Sequence, residues 1–441
     1  DAISNGAKAT HQIISPRFNA ACLLFYWTTH LISCTKRQPL AKFLAPEGRM
    51  NPVKEKKEPY STKPISWLNT IFLCGSPVAA LALLVVYHVQ GSWHWADIAL
   101  LAAMYMATGI AITAGYHRLY AHNTYDCSPL IEVLYLAFGA AALQNSVVHW
   151  ASDHRVHHRK VDQEEDPYNI NKGFFWAHMG WIFYDSEPGL HFEKIPDLFK
   201  NKLVCWQHRF YLPIGIAVGF GLPLALGFWV GRPFEFFLFG GLLRVVLVHH
   251  STFLINSGAH YFGRRPYSIY NTARDSWWLA FFSFGEGYHN YHHAFQGDYR
   301  NGIRWYHWDP SKWLIRALSW VRLTWRLNKA SDERILKAMM RAALARADEP
   351  MARLPEEWAH SFSMRMDECR ARWHEAVDIL VEKREEYQVW ADSTKALAKR
   401  ERRLLKIKWH AQIKEAKQRL VIARAEYALL LHELRLQPLA A

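Results

Sequence analysis

Cysteine is scarce. The 441 residues hold six, Cys22, Cys34, Cys74, Cys127, Cys205 and Cys369, and no two form a Cys-x-x-Cys pair. That spacing argues against a disulfide framework and against a zinc ribbon. Acidic residues are also few, 39 against 53 Lys and Arg, so the formal charge is +14. The excess is not one basic arm, because residues 331–441 carry 22 basic and 18 acidic side chains. Such a balance suits anionic lipid headgroups, an anionic substrate or nucleic acid, and of these a nucleic-acid partner is not expected. A mean hydropathy of −0.15 is too polar for a chain that is all membrane. A hydrophobic content of 51% is too high for a disordered one. Trp occurs 20 times, enough to supply aromatic belts at membrane interfaces.

At this length two or three domains are expected. Residues 1–49 show no clear periodicity. Met50 opens a polar, Lys-rich stretch, and the reading taken is that Met50 initiates and 1–49 is an upstream segment. The rival reading makes Ala20–Ser33 a short apolar anchor or signal-like segment, although it lacks an Ala-x-Ala cleavage pattern. A core is expected over 50–328 and a separate extension over 329–441.

About 20 apolar residues cross a bilayer. Trp67–Val86, Ile98–Gly115, Tyr211–Val230 and Phe236–Asn256 satisfy that, the last carrying Arg244, His249 and His250. Arg244 reads either as a functional charge or as a structural one paired with carbonyls or Glu235. A fifth apolar stretch, Leu130–Val148, contains Glu132, Gln144 and Asn145. One crossing there would put two histidine clusters on opposite sides of the membrane, so it is expected to be a buried or interfacial helix. Lys54, Lys56, Lys57 and Lys63 precede the first span, and the loop after it has no Lys or Arg. The positive-inside rule then puts both ends and the site in the cytosol. The fold class is all-α, with a four-helix transmembrane bundle.

After Lys329 the chain is rich in Ala, Leu, Glu, Lys and Arg. Leu420, Ala423, Tyr427, Leu430 and Leu434 follow a 3-4-3-4 spacing, and Leu397 and Leu404 start another register. A helical hairpin or short coiled coil is expected, with oligomerisation as one use for it. The basic run Lys395–Lys408 is a solvated helix face or a contact for anionic lipid or nucleic acid.

Histidine is the outlier, with 24 residues. His117 and His122 stand five apart, and His154, His157 and His158 form a His-x-x-His-His run. His289, His292 and His293 form a second such run. On an α-helix that pattern points three imidazoles one way. The five-residue pair needs a helix end or a bend. Asn256 and His260 are one turn apart near the end of the fourth span. A lone buried histidine is usually a core residue, but two such runs and a pair are not. Neutral imidazole suits Zn, Cu, Fe and Ni. Nine imidazoles exceed what one zinc takes, so two metals are expected. Asp153, Asp166 and Glu286 are candidates to hold the ligands from behind.

These residues resemble the membrane fatty-acid desaturase family, of the stearoyl-CoA or acyl-CoA Δ9 type. The likeness runs from about Trp67 to Arg326. It includes Gly285-Glu-Gly-Tyr-His-Asn-Tyr-His-His293 and Trp308-Asp-Pro-Ser-Lys-Trp313. The resemblance implies a cytosolic helical cap over the bundle, a di-iron centre and a kinked acyl tunnel. It implies His117, His122, His154, His157, His158, His260, His289, His292 and His293 as iron ligands, with Asn256 holding an iron through water. Gln144, Asn145, Trp150 and Thr252 match the tunnel's kink, and Tyr105 matches its closed end, which implies a 16- or 18-carbon chain. It implies O2 as co-substrate and a separate electron donor such as cytochrome b5, or ferredoxin with its reductase. Two features depart from the animal acyl-CoA enzymes: Asp185, Ser186 and Glu187 stand where an Arg-Lys pair is found, and Ser152 replaces an Arg. Phosphate favours Arg and Lys, so an acyl-lipid or carrier-protein substrate stays open beside acyl-CoA.

The expected activity is therefore O2-dependent desaturation of an acyl chain, with a membrane di-iron hydroxylase as the runner-up. A membrane scaffold acting through the basic tail is the rival from another class. No cytochrome b5 pattern follows the core, so a bacterial inner membrane is expected over endoplasmic reticulum.

Overall fold

The computed structural model describes residues 64–91, 93–184, 195–351, 354–394 and 399–436, all within one unit, Pro59–Ala441. The expectations for residues 1–50, for Lys54, Lys56, Lys57 and Lys63, for Asp185–Glu187 and for Leu397 fall outside the described residues. So does the first part of Lys395–Lys408.

Four helices among the described residues are long and apolar enough to cross a membrane: α1 (Trp67–Val89), α2 (Trp95–Ala121), α5 (Tyr211–Val230) and α6 (Pro233–Tyr261). They are the four expected spans, each bounded within a few residues. Their lipid-side character is visible in α1, where Leu68, Ile71, Val78 and Leu81 are all exposed. Trp93 and Trp95 mark one end, as interfacial tryptophan does. There the buried Asp97 accepts from Tyr87 at 2.8 Å and from Arg232 at 2.7 Å, tying α1, α2 and the α5–α6 turn together.

The fifth apolar stretch is not a span. It folds as a short helix, α3 (Pro129–Ala141), followed by a turn and by α4 (Val147–Lys160). Leu143 and Asn145 in that turn adopt positive φ, 55° and 76°. Helix α3 packs closely on the lower part of α2. A Cβ on Gly139 would come within 2.3 Å of the Tyr116 ring, so glycine is what lets the two helices approach.

Arg244 is structural. It is fully buried and donates to the carbonyls of Gly240, Ala141 and Gly219. Glu235 pairs with Arg232 instead. Gly240 and Gly219 lie where α6 and α5 are wound as π-helices, over Phe237–Leu243 and Ala217–Gly221, and Ala141 is the last residue of α3, whose carbonyl has no partner further along that helix. An i→i+5 ladder leaves main-chain groups that a long donor side chain can satisfy.

Beyond α6 the cap is built from α7 (Trp277–Phe282), α8 (His289–Ala294) and α9 (Pro310–Trp320). A two-residue antiparallel ladder fastens Asp126–Cys127 (β1) to Thr324–Trp325 (β2). The extension folds as α10 (Asp332–Met351), α11 (Glu356–Ser393) and α12 (Lys399–Leu436). The expected heptad residues Leu420, Ala423, Tyr427, Leu430 and Leu434 are all buried there, against Phe362, Met366, Trp373 and Val377. The apolar stripe is thus used within the chain, as a helical hairpin with α10 laid beside it.

Candidate metal centre

His117 lies inside the last turns of α2, where the helix is π-wound over Ala111–Ala121. The amide of His122 bonds to the carbonyl of His117 at 3.1 Å. An i→i+5 bond stacks residue i+5 over residue i. That is how the five-residue pair shares one face, which an α-helix would not allow. His154, His157 and His158 lie on α4. His289, His292 and His293 lie on α8, and His260 closes α6.

All nine histidines converge. Their ring nitrogens form two groups, each with donor atoms within 4.8 Å of one another. The first contains His117, His122, His154, His158 and His292, and the second contains His157, His260, His289 and His293. His158 and His293 stack at 4.2 Å and join them. Asn256 ends a helical segment four residues before His260.

Several rings are held from behind. His117 Nδ1 meets Glu286 Oε2 at 3.0 Å, and His157 Nδ1 meets Asp166 Oδ1 at 2.9 Å. His260 Nδ1 meets the Thr272 hydroxyl at 2.8 Å, and His154 Nδ1 meets Tyr168 OH at 3.3 Å. The two carboxylates, and the Thr272 hydroxyl whose own proton goes to Asp162, act as acceptors that place the ring proton on Nδ1 of His117, His157 and His260 and leave their Nε2 lone pairs facing inward. Inward Nε2 atoms then confront one another: 2.9 Å for His117–His292, His122–His154 and His158–His292, and 3.1 Å for His260–His289. Lone pairs that close are compatible with a proton or a cation between them. Burial first, then the neighbouring imidazoles, pushes His122, His154, His158, His289, His292 and His293 well below the ordinary imidazole pKa. Neutral, buried, convergent imidazoles are the chemistry of a metal centre.

Two of the three expected supports, Asp166 and Glu286, are in place. Among the described residues Asp153 bonds no box histidine, and burial pushes its carboxyl up to about 7. Glu286 also stands three residues before His289, a Glu-x-x-His spacing, but its carboxylate turns to His117 and to Arg118. Burial alone would raise the Glu286 carboxyl, yet His117 and Arg118 outweigh it and hold it down at about 2.

Arg118, Asp309, Thr272, Asp162 and Tyr168 were not expected. Arg118 is fully buried and bridges Glu286 at 2.8 Å and Asp309 at 2.9 Å. Asp309 also accepts from the amides of Asn301, Gly302 and Lys312, capping α9. Gly285 permits this approach: its φ is +98°, and a Cβ would lie 2.7 Å from the Asp309 carboxyl. Asp162 anchors Thr272 through its amide and its hydroxyl. A lone Arg at the end of an apolar span was a readable signal for the first pair. Thr272 and Tyr168 had none, because a neutral hydroxyl behind a ring leaves no mark in a sequence.

Of the expected tunnel residues, Trp150 lies beside the first group. Trp150 stacks on His154 at 4.9 Å and lies 6.0 Å from His117. Gln144 donates to the Thr252 hydroxyl at 2.9 Å, joining the α3–α4 turn to α6. The Asn145 amide donates to Tyr211 OH at 2.9 Å. Tyr105 OH lies 2.7 Å from Ser251 Oγ and donates to the Phe282 carbonyl at 3.0 Å. Ser152 is buried, and its hydroxyl has no partner among the described residues.

A sequence profile of the fatty acid desaturase family matches residues 91–319. The chain is 39% identical over 279 residues to the probable acyl-CoA desaturase of Schizosaccharomyces pombe, covering 63% of this chain and 57% of that protein. It is 35% identical over 297 residues to acyl-CoA desaturase 1 of Saccharomyces cerevisiae, covering 66% and 57%. The sn-1 stearoyl-lipid 9-desaturase of Anabaena variabilis is 33% identical over 276 residues, covering 62% of this chain and 98% of the relative. The chain thus spans little more than half the length of the two yeast relatives. With a match over more than half its own length, and with the three histidine boxes brought together around one metal centre, the chain belongs to the fatty acid desaturase family.

Proposed function

We propose that this protein is an O2-dependent fatty acyl desaturase that introduces a cis double bond, at Δ9, into a saturated 16- or 18-carbon chain. The observation that carries the reading is the convergence of nine imidazoles in two groups of five and four, beside an apolar helix bundle. Two irons would fit this donor set, and Asn256 is the further residue that would hold one of them, through water. Bound, reduced iron with O2 supplies the oxidising power to remove two hydrogens from an unactivated CH2–CH2. The chain's own residues do the rest. Glu286, Asp166 and Thr272 hold their histidines in the tautomer that presents Nε2, and Tyr168 braces the His154 ring from behind. Trp150, Gln144 and Thr252 bend the acyl chain past the first group. Tyr105, fastened to Ser251 and Phe282, stops its methyl end, so that counting from that stop selects the bond that reacts.

The carrier is read as CoA, following the yeast relatives named acyl-CoA desaturases. A second reading, an acyl-lipid, is favoured by the neutral Ser152 where the acyl-CoA enzymes carry a cation and by the name of the cyanobacterial relative. The four spans and the family make this a multi-pass membrane protein. The bacterial inner membrane expected from the sequence is retained as the proposed location, beside relatives from both yeasts and cyanobacteria.

Metal analysis of the purified protein tests the assignment. Two irons per chain are expected, with both iron and activity lost in His157→Ala. Full activity in His157→Ala with iron retained contradicts it. Mass spectrometry of the product separates this reading from hydroxylation: two hydrogens lost, against one oxygen gained.

A further inference from the structure

Helix α10 lies across the helix of the third histidine box. Its Ile335, Ala338 and Met339 pack with Ala330 against Tyr267, Tyr291 and Phe295. Beside this contact lies a cavity of about 310 Å³. Its floor includes Ala294 and Phe295, the two residues that follow His293. Tyr267 and Tyr270 form one wall, and α10 forms the other with Arg334 and Arg341. Both arginines are exposed, and Tyr270 is 85% exposed. The acids on the same stretch of α10 are engaged elsewhere, Asp332 with Arg384 and Glu333 with Lys337. The rim therefore presents positive charge. Below it Tyr267, Tyr291 and Phe295 are in mutual ring contact, with centroids 5.0–6.0 Å apart, and Tyr291 is the neighbour of His292.

We propose that this recess is where an acidic one-electron carrier protein docks to reduce the metal centre. The inference rests on the desaturase reading. Turning CH2–CH2 and O2 into CH=CH and two waters takes two further electrons and two protons, and the electrons arrive from another protein. At the recess the floor is the residue after His293, and an aromatic cluster leads inward. Positive charge at the rim steers an acidic partner into place and makes the encounter salt-dependent. Electron-transfer encounters use small interfaces, below about 1,200 Å², so a compact recess is enough. The extension supplies α10, and with it both arginines, which gives residues beyond the family match a role at the core's site.

The test uses the full-length protein in lipid nanodiscs with two probes, reduced cytochrome b5 and reduced [2Fe–2S] ferredoxin. Stopped-flow absorbance follows oxidation of each carrier by the enzyme, a readout that does not require product. Expected in the double variant R334E/R341E is at least a tenfold rise in KM for the carrier at low salt, unchanged kcat at saturation and a flattened salt dependence. R334K/R341K, which keeps the charge, behaves as the unmodified protein. An unchanged KM in the Glu variant, an equal rise in the Lys variant, or oxidation of neither carrier by the unmodified protein overturns the proposal. So does inorganic phosphate binding that is lost with the arginines while carrier KM stays constant. A dithionite-reduced single turnover tests the desaturase reading separately. It gives the same double bond in all three proteins, and no double bond in any of them is the failure of that reading alone.

Discussion

Arg118 and Glu286 are the residues on which the first histidine box leans. Both are buried, and together with Asp309 they form a buried charge chain. Breaking one partner of such a chain leaves an uncompensated buried charge, which costs about 3–5 kcal/mol. Asp309→Asn is therefore expected to lower stability by about that amount, read as a shift in thermal unfolding. A shift within error of zero contradicts it. Glu286→Gln keeps the shape but removes the charge behind His117. Metal affinity or activity is expected to fall about 10–100-fold, and unaltered iron content and rate contradict the role. At this scale the converging histidines were legible and the groups behind them only partly so. The spacing of the boxes showed nine histidines, and acids close by in sequence gave Asp166 and Glu286. Asp153 was equally close but points to no ring, because helix phase and not proximity in sequence decides what lies behind an imidazole. Thr272 reaches His260 only through a fold that sequence distance does not reveal.

Elements follow from composition where they are long and repetitive. The four spans were readable because some twenty predominantly apolar residues have few other places to go. The stretch 130–148 was resolved by parity and by its polar residues, and it turns out to be a short helix and a tight turn. What could not be read is the π-winding of α2 over Ala111–Ala121, since side-chain periodicity is counted for an α-helix. The five-residue separation of His117 and His122 was its one trace. In the extension the heptad stripe was legible, and the structure shows its partner to be α11 of the same chain. An oligomer through these helices would have to use other faces, where Val421, Ile422 and Leu429 are exposed. Leu430→Ala, at a site 4% exposed, is expected to cost the hairpin about 2–5 kcal/mol. Hydrogen exchange should then quicken in α11 and α12 while iron content stays constant. Quickening in α4 or α8 would show that hairpin and core do not separate energetically.

Across the whole molecule the buried imidazoles set the response to acid. Their pKa values are pushed down, so the unfolded chain binds protons that the folded chain refuses. Stability is therefore full above the unfolded imidazole value of about 6.5 and is lost as pH falls below it. A metal on the same nitrogens competes with the same protons and is released in the same direction. Dialysis at pH 5 is expected to strip iron that is retained at pH 7.5, and retention at pH 5 contradicts neutral-imidazole ligation. The central claim is tested most directly by lipid analysis. With the protein expressed in a host that lacks Δ9 desaturation, gas chromatography–mass spectrometry of the fatty acids is expected to show a new cis-Δ9 16- or 18-carbon acid, absent with His157→Ala. Hydroxylated acids in place of new double bonds, from protein carrying two irons per chain, would contradict the account.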